Sequence, residues 1–470
     1  MTEGSGWDLR RGPQRTFLHV LLNTLFVSVV NFTLWFAVTF WVYLETRSVF
    51  ATGMIAGIFL VATAVTGIWF GSLVDRHPKK AVLQVSALVS FVLYAASLGL
   101  YLLSPDEAFQ SPGSVLLWTF VVLLMLGVIA GNPRMIALST LVTLLIPADR
   151  RDRANGLVGT TSGVSFLVTS VISGLLVAAA GMLYALLLAL VVLVAAVVHL
   201  SRVRIPGDVP GRLDASAGAD PAPASLESKT EHRIDLRGTI RLVRSVPGLA
   251  ALILFSCFNN LLGGTFMALL DAYGLSLVSV QAWGLLWGVL STGVIVGGLL
   301  VAKGGLGSNP VRTLLMANLV IWSVCCLFPL RSSLVVLAVG LYAYMLVVPF
   351  AEAAEQTVLQ RVVPYARQGR VFGFAQSVEL SAAPLTAFVI GPLTQFVFIP
   401  FMTDGAGADA IGDWFGRGPD RGIALVFVLA GIAGLLTTLL ALGSRYYRQL
   451  SQAFDDAAPA PAVSTAAVGP

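Results

Sequence analysis

Long apolar runs dominate the chain; several carry no charge, and most charged residues arrive together in the short stretches between them. A helix needs about 20 apolar residues to cross a hydrocarbon core. Twelve runs meet that length, at 17–43, 49–74, 80–103, 114–143, 154–179, 182–203, 248–270, 281–302, 311–330, 333–360, 370–399 and 421–443. The pattern predicts an all-α membrane protein of twelve transmembrane helices. The first run is longer than the apolar part of a signal peptide and has no convincing cleavage site, so it reads as a span.

The basic residues set a direction. One set of connections holds Arg10, Arg11 and Arg15, then Arg76, Lys79 and Lys80, then Arg150, Arg151 and Arg153, and later Lys303, Arg312, Arg361, Arg367, Arg370, Arg445 and Arg448. The other set holds only Arg47, Arg331, Arg417 and Arg421. Basic residues mark the cytoplasmic side, so both termini are expected in the cytoplasm and the protein in the inner (plasma) membrane.

The longest interruption, 204–247, separates six spans (1–203) from six more (248–450). From Pro206 to Ser228 it has the Pro, Ala, Gly and Ser content of a linker. After that, Arg233, Arg237, Arg241 and Arg244 recur at helical spacing opposite Leu236, Ile240 and Val243, which predicts an amphipathic helix on the inner membrane surface. The tail 451–470, rich in Ala and Pro, is expected to be disordered.

The two sets of spans repeat. Pro147, Arg150, Arg153, Gly156 and Gly174 recur at an offset of 217 as Pro364, Arg367, Arg370, Gly373 and Gly391. Gly67, Gly71 and Leu73 recur at an offset of 226 as Gly293, Gly297 and Leu299. Such repeats imply two pseudo-symmetric six-helix halves around a central cavity. The glycine pairs Gly53/Gly57, Gly67/Gly71 and Gly293/Gly297, four residues apart, read as helix-packing faces.

Composition narrows the class. Hydrophobic residues make up 57% of the chain, charged residues 11%, and mean hydropathy is +0.86, beyond what a soluble domain of about 45–50% apolar residues can bury. The net charge of +5 does not indicate nucleic acid, because the basic residues lie at span ends and not on one face. Cys257, Cys325 and Cys326 sit in apolar runs as buried thiols.

The connection between the second and third spans reads Gly71-Ser72-Leu73-Val74-Asp75-Arg76-His77-Pro78-Lys79-Lys80. It resembles the loop signature of the major facilitator superfamily, a Gly-x-Leu-x-Asp-Arg core followed by basic residues. The resemblance implies that Gly71 lets two helices approach closely. It also implies that Asp75, with Arg76, Lys79 and Lys80 around it, holds the halves together against the start of the eleventh span near Gly369–Gly373, where a helix dipole favours an anion. In the second copy Val301 stands where Asp75 would map, so the two copies are expected to latch differently.

Arg153-Ala154-Asn155-Gly156-Leu157 and the small residues after it resemble the bacterial drug:proton antiporter branch, which includes macrolide and siderophore exporters. The fifth span, with Thr169-Ser170-Val171-Ile172-Ser173-Gly174, lacks the proline of that branch's Gly-Pro-x-x-Gly-Gly element. Drug antiport, dedicated lipid or siderophore export, and proton-coupled import therefore stay open.

Ionisable groups inside spans are costly and mark function. Arg134 lies in the fourth span, Glu352 and Glu355 in the tenth and Glu379 in the eleventh. Arg134 maps through the repeat beside Glu352, and the two are expected to pair when the inner side closes. Glu379 is the expected proton-binding carboxylate. Asn23, Asn31 and Trp35 on the first span and Asn259, Asn260 and Phe266 on the seventh are the expected cavity wall. Such a wall suits a small hydrophobic or amphipathic substrate exchanged for protons, by a monomer that needs no cofactor or metal. The four histidines lie at span ends or in the linker. No catalytic or ATP-binding motif appears, which disfavours an intramembrane enzyme, and the two-half repeat argues against a channel.

Overall fold

A chain in lipid must bond every backbone group within its own segment, so apolar runs of this length have to be helical. The computed structural model describes residues 12–46, 49–208 and 235–457, and among them no strand occurs. The first half comprises α1 (Gly12–Thr46), α2 (Val49–Arg76), α3 (Lys79–Leu103), α4 (Val115–Ala130), α5 (Pro133–Leu145), α6 (Arg151–Ala180) and α7 (Met182–Arg202). After the short α8 (Leu236–Ser245), the second half follows with α9 (Leu249–Leu277), α10 (Val280–Gly304), α11 (Pro310–Leu327), α12 (Leu334–Val362), α13 (Gln368–Leu393), α14 (Ile399–Thr403), α15 (Ala406–Phe415) and α16 (Pro419–Gly443), and α17 (Arg445–Asp456) closes the described chain. Nine helical stretches among the described residues are long and apolar enough to cross a membrane.

Two expectations need correction, those for the fourth span and for the C-terminal tail. The fourth span is two helices, α4 and α5, because Pro133 cannot donate and the amides of Gly131 and Asn132 instead close tight turns onto Val128 and Ile129. The eleventh span runs through its expected length without a break, widening over Thr394–Phe398 and continuing into α14. The outer connection after it is largely helical, pinned by Arg421, which is buried and bonds the carbonyls of Pro329 and Phe415 and the Tyr273 hydroxyl. The C-terminal segment expected to be disordered from 451 remains helical to Asp456, because Leu450 and Phe454 are buried against the bundle. Residues 458–470 lie outside the described residues, as do 209–234, which hold most of the expected linker and Arg233.

α8 buries Thr239 and Val243 and leaves Arg237, Arg241 and Arg244 exposed; Leu236, expected on the apolar face, is exposed too. Its Asp235 caps the first turn through the Gly238 amide at 2.7 Å.

The packing is uneven along the bundle. At the end carrying the basic loops, one hydrophobic core takes residues from both halves, Val74, Leu141 and Ala154 together with Val301, Val358 and Val371. Toward the opposite end each half has its own core. One runs from Val27 to Ala196 through Trp41 and Phe120, the other from Phe266 to Ala430 through Tyr273 and Phe427. The halves are therefore welded at the basic end.

Candidate functional site

Two connections join the halves at the basic end. Asp75, at the end of α2, accepts from the amides of Gly369 (2.6 Å) and Arg370 (2.9 Å) at the start of α13, and its side chain is only 2% exposed. These amides are among the four that a helix N-terminus leaves without internal partners, and its dipole favours the carboxylate. The contact needs glycines: a Cβ on Gly71 would run into the Gly369 carbonyl and the Gly373 Cα, and one on Gly67 into Ser377. Arg76 closes α2, while Lys80 donates to the carbonyls of Ser201 and Val203, and Asp208 caps α3 through the amides of Lys79 and Lys80. The Lys79 ammonium lies 5.2 Å from the Tyr365 ring centre across the junction.

The second connection is built the other way round. The loop after α10 offers its Leu306 amide to Asp152, at the start of α6, at 2.8 Å. Val301 is fully buried and packs where a side chain on Gly156 would otherwise go. Between the two connections Asn155 donates to Thr357 (2.9 Å) and Gln360 (3.0 Å), and Gln360 donates to the Ser139 carbonyl at 3.0 Å. Asp152 and Gln360 were not expected here and Asn155 only as part of a motif; Asp152 and Asn155 follow Pro147 in a polar cluster, whereas Gln360 closes the tenth expected span.

Immediately above this floor lies a cavity of about 350 Å³, walled by both halves. Ser139, Asn155 and Ser162 contribute from one side, Asn260, Gln356 and Gln376 from the other. All three intramembrane glutamates reach it: Glu352 and Glu355 from α12 and Glu379 from α13. Glu355 accepts from Ser256 of α9 at 2.7 Å, and the Glu379 carboxyl group lies beside that of Glu355. Counting 1.5 Å per residue from the helix ends puts these groups about 10 to 16 Å into the bundle. Among the described residues no Lys, Arg or His lines the cavity.

The expected Arg134–Glu352 pair is not formed, although this end is closed. Arg134 turns into its own half, donating to Asn23 Oδ1 and the Leu83 carbonyl at 2.7 Å each. Asn23 in turn reaches the Ala196 carbonyl and His199. The repeat fixes depth along the helix, whereas the break at Pro133 sets the direction of the Arg134 side chain. Of the six expected wall residues, only Asn260 lines this cavity. Asn31 accepts from the Tyr94 hydroxyl at 2.8 Å, Asn259 from the Trp322 indole at 2.6 Å, Trp35 lies against Phe36 and Phe59, and Phe266 stacks on Phe427.

Comparison with known proteins gives the same architecture. The bacterial homologue of the iron transporter ferroportin, in an outward-facing state, is 16% identical with a TM-score of 0.61, over 92% of this chain and 100% of that one. The human organic anion transporter MFSD10 is 15% identical with a TM-score of 0.60, over 92% and 100%. The proton:xylose symporter XylE, bound to 6-bromo-6-deoxy-D-glucose, is 14% identical with a TM-score of 0.61, over 92% and 96%. At these identities the likeness is one of fold. No curated protein matches the sequence. The model of the Major Facilitator Superfamily matches residues 20–387, most of the chain, and this protein is a member of that superfamily of membrane transporters.

Proposed function

We propose that this transporter exports hydrophobic or amphipathic organic cations in exchange for protons, by alternating access. The reading rests on the central cavity, which holds three carboxyl groups, two of them side by side, and among the described residues has no basic residue in its wall. Two carboxyl groups side by side do not both ionise readily, because their like charges repel, so one of them keeps its proton. A cation entering beside Glu355 and Glu379 favours the ionised form and displaces that proton. Without a cation, uncompensated charge in this setting costs several kcal/mol, so the protonated form prevails. Proton and substrate thus compete for the same carboxylates.

In this reading the basic end faces the cytoplasm of a cell with an inner (plasma) membrane. The floor formed by the Asp75 and Asp152 connections must part for substrate to enter from there, and the opposite ends of the halves then approach. The apolar residues of the wall, Met135, Val158 and Phe372 among them, suit a cation with an apolar body.

The test is transport of ethidium by proteoliposomes under an imposed pH gradient, comparing wild type with Glu379→Gln. Ethidium movement that follows the gradient and falls at least about tenfold in the variant supports the reading. Movement that ignores the gradient, or a fully coupled variant, refutes it. No movement of ethidium would also refute it and direct attention to lipids or siderophores.

A further inference from the structure

The seventh span continues to Leu277, well beyond the end at 270 read from hydropathy, and the extension carries Asp271. Asp271 faces a second cavity, of about 120 Å³, whose wall includes Phe266, Trp287, Phe328 and Tyr344. Both nearby indoles donate to one oxygen of this carboxylate, Trp283 at 2.8 Å and Trp287 at 3.3 Å onto Oδ1. Among the described residues Oδ2 has no hydrogen bond and no basic side chain pairs with it. Asp271 is exposed, so this oxygen is accessible, and a carboxylate held by two indoles beside aromatic faces and without a cation has the chemistry that binds an alkylammonium head group.

Its position relates it to the central cavity. Asn260, Gly263, Met267 and Asp271 are three, four and four residues apart, so they line one stripe of α9. Asn260 belongs to the central cavity, and the other three to the second. On α12, Tyr344 walls the second cavity and Glu352, about two turns further along, walls the central one. Trp287 also meets Phe166 of the other half, with ring centres 6.2 Å apart, so this wall moves if the halves move.

We infer that Asp271, with Trp287, Phe266 and Tyr344, forms a second station for organic cations, between the central glutamates and the end of the bundle away from Asp75. The station rests on the cation-transport reading above and adds a site that the glutamates do not provide. A cation leaving Glu379 passes Tyr344 to Asp271, and the station holds it while the central carboxyls take up their proton.

Equilibrium dialysis of the purified protein with phenyltrimethylammonium tests this, using wild type, Asp271→Asn, Trp287→Phe and Glu379→Gln. In Asp271→Asn the side-chain amide oxygen would still accept from Trp283, so the packing survives. The expected result is two bound cations in wild type, with one weakened about tenfold in Asp271→Asn and less in Trp287→Phe, while Glu379→Gln weakens the other. Asp271→Asn and Trp287→Phe that both bind as wild type overturn the second station and leave the central site standing. One bound cation, lost only in Glu379→Gln, does the same. No binding to wild type overturns both.

Discussion

The two connections at the basic end do the same job with opposite polarity. In one, the end of α2 supplies the carboxylate (Asp75) and the facing helix, α13, supplies two amides, those of Gly369 and Arg370. In the other, the helix supplies the carboxylate (Asp152) and the loop one amide, that of Leu306. The repeat in sequence conserves the glycines but not their neighbours. Gly67 and Gly71 bring α2 against α13 of the other half, whereas their counterparts Gly293 and Gly297 face Tyr342, Met345, Leu346 and Pro349 of α12, within one half. Gly298, one residue on, meets Gly156 and Thr160 across the junction instead. A one-residue turn of α10 about its axis thus moves the glycine pair from an interface that must open to one that need not. The difference predicts that the Asp75 side controls opening and the Asp152 side follows.

The largest effect should come from filling the closest approach. Gly71→Val forces α2 away from backbone atoms of α13 that cannot yield. Overpacking of this kind costs about 1–3 kcal/mol, enough to shift the balance between closed and parted floors roughly 5- to 150-fold. Distances between spin labels at the exposed positions His77 and Arg367, on either side of the junction, should lengthen in this variant. Gly293→Val meets neighbours of its own half, Met345 and Tyr342, and should lower thermal stability while leaving the label distance unchanged. Equal label shifts in both variants would break the comparison.

A smaller effect should separate the carboxylates. Asp75→Asn removes the charge that two amides share, while Asp152→Asn weakens one bond across the junction. At about 1.5–3 kcal/mol for a hydrogen bond to a charged group, of which the amide replacement recovers part, the first should shift the same equilibrium about tenfold and the second about threefold. A stronger response to Asp152→Asn would reverse the assigned roles.

Hydropathy made the helices legible because lipid leaves the backbone no alternative to helix along an apolar run. It did not reveal the break before Pro133, which sits inside an apolar run and leaves the mean hydropathy high. Nor did it place Asp271, since the charge itself ended the predicted span. For the site, residue type indicated that Glu352, Glu355 and Glu379 matter, because an acid within a span is expensive wherever it faces. Asn23, Asn31 and Asn259 cost less, and each is satisfied inside its own half by Arg134, Tyr94 and Trp322. Which side of a helix faces the cavity depends on packing angles between helices far apart in sequence, so those residues could not be sorted in advance. The Glu355–Glu379 contact is of this kind: it spans two helices and is supported from a third through Ser256.

In the proposed exchange, cation and proton compete for the Glu355–Glu379 pair. The most direct measurement is proton release when ethidium is added to the purified, weakly buffered protein, followed with a pH indicator. Competition releases about one proton per cation bound in wild type and none in Glu379→Gln at cation concentrations that still give binding. Cation binding to wild type without proton release would contradict it.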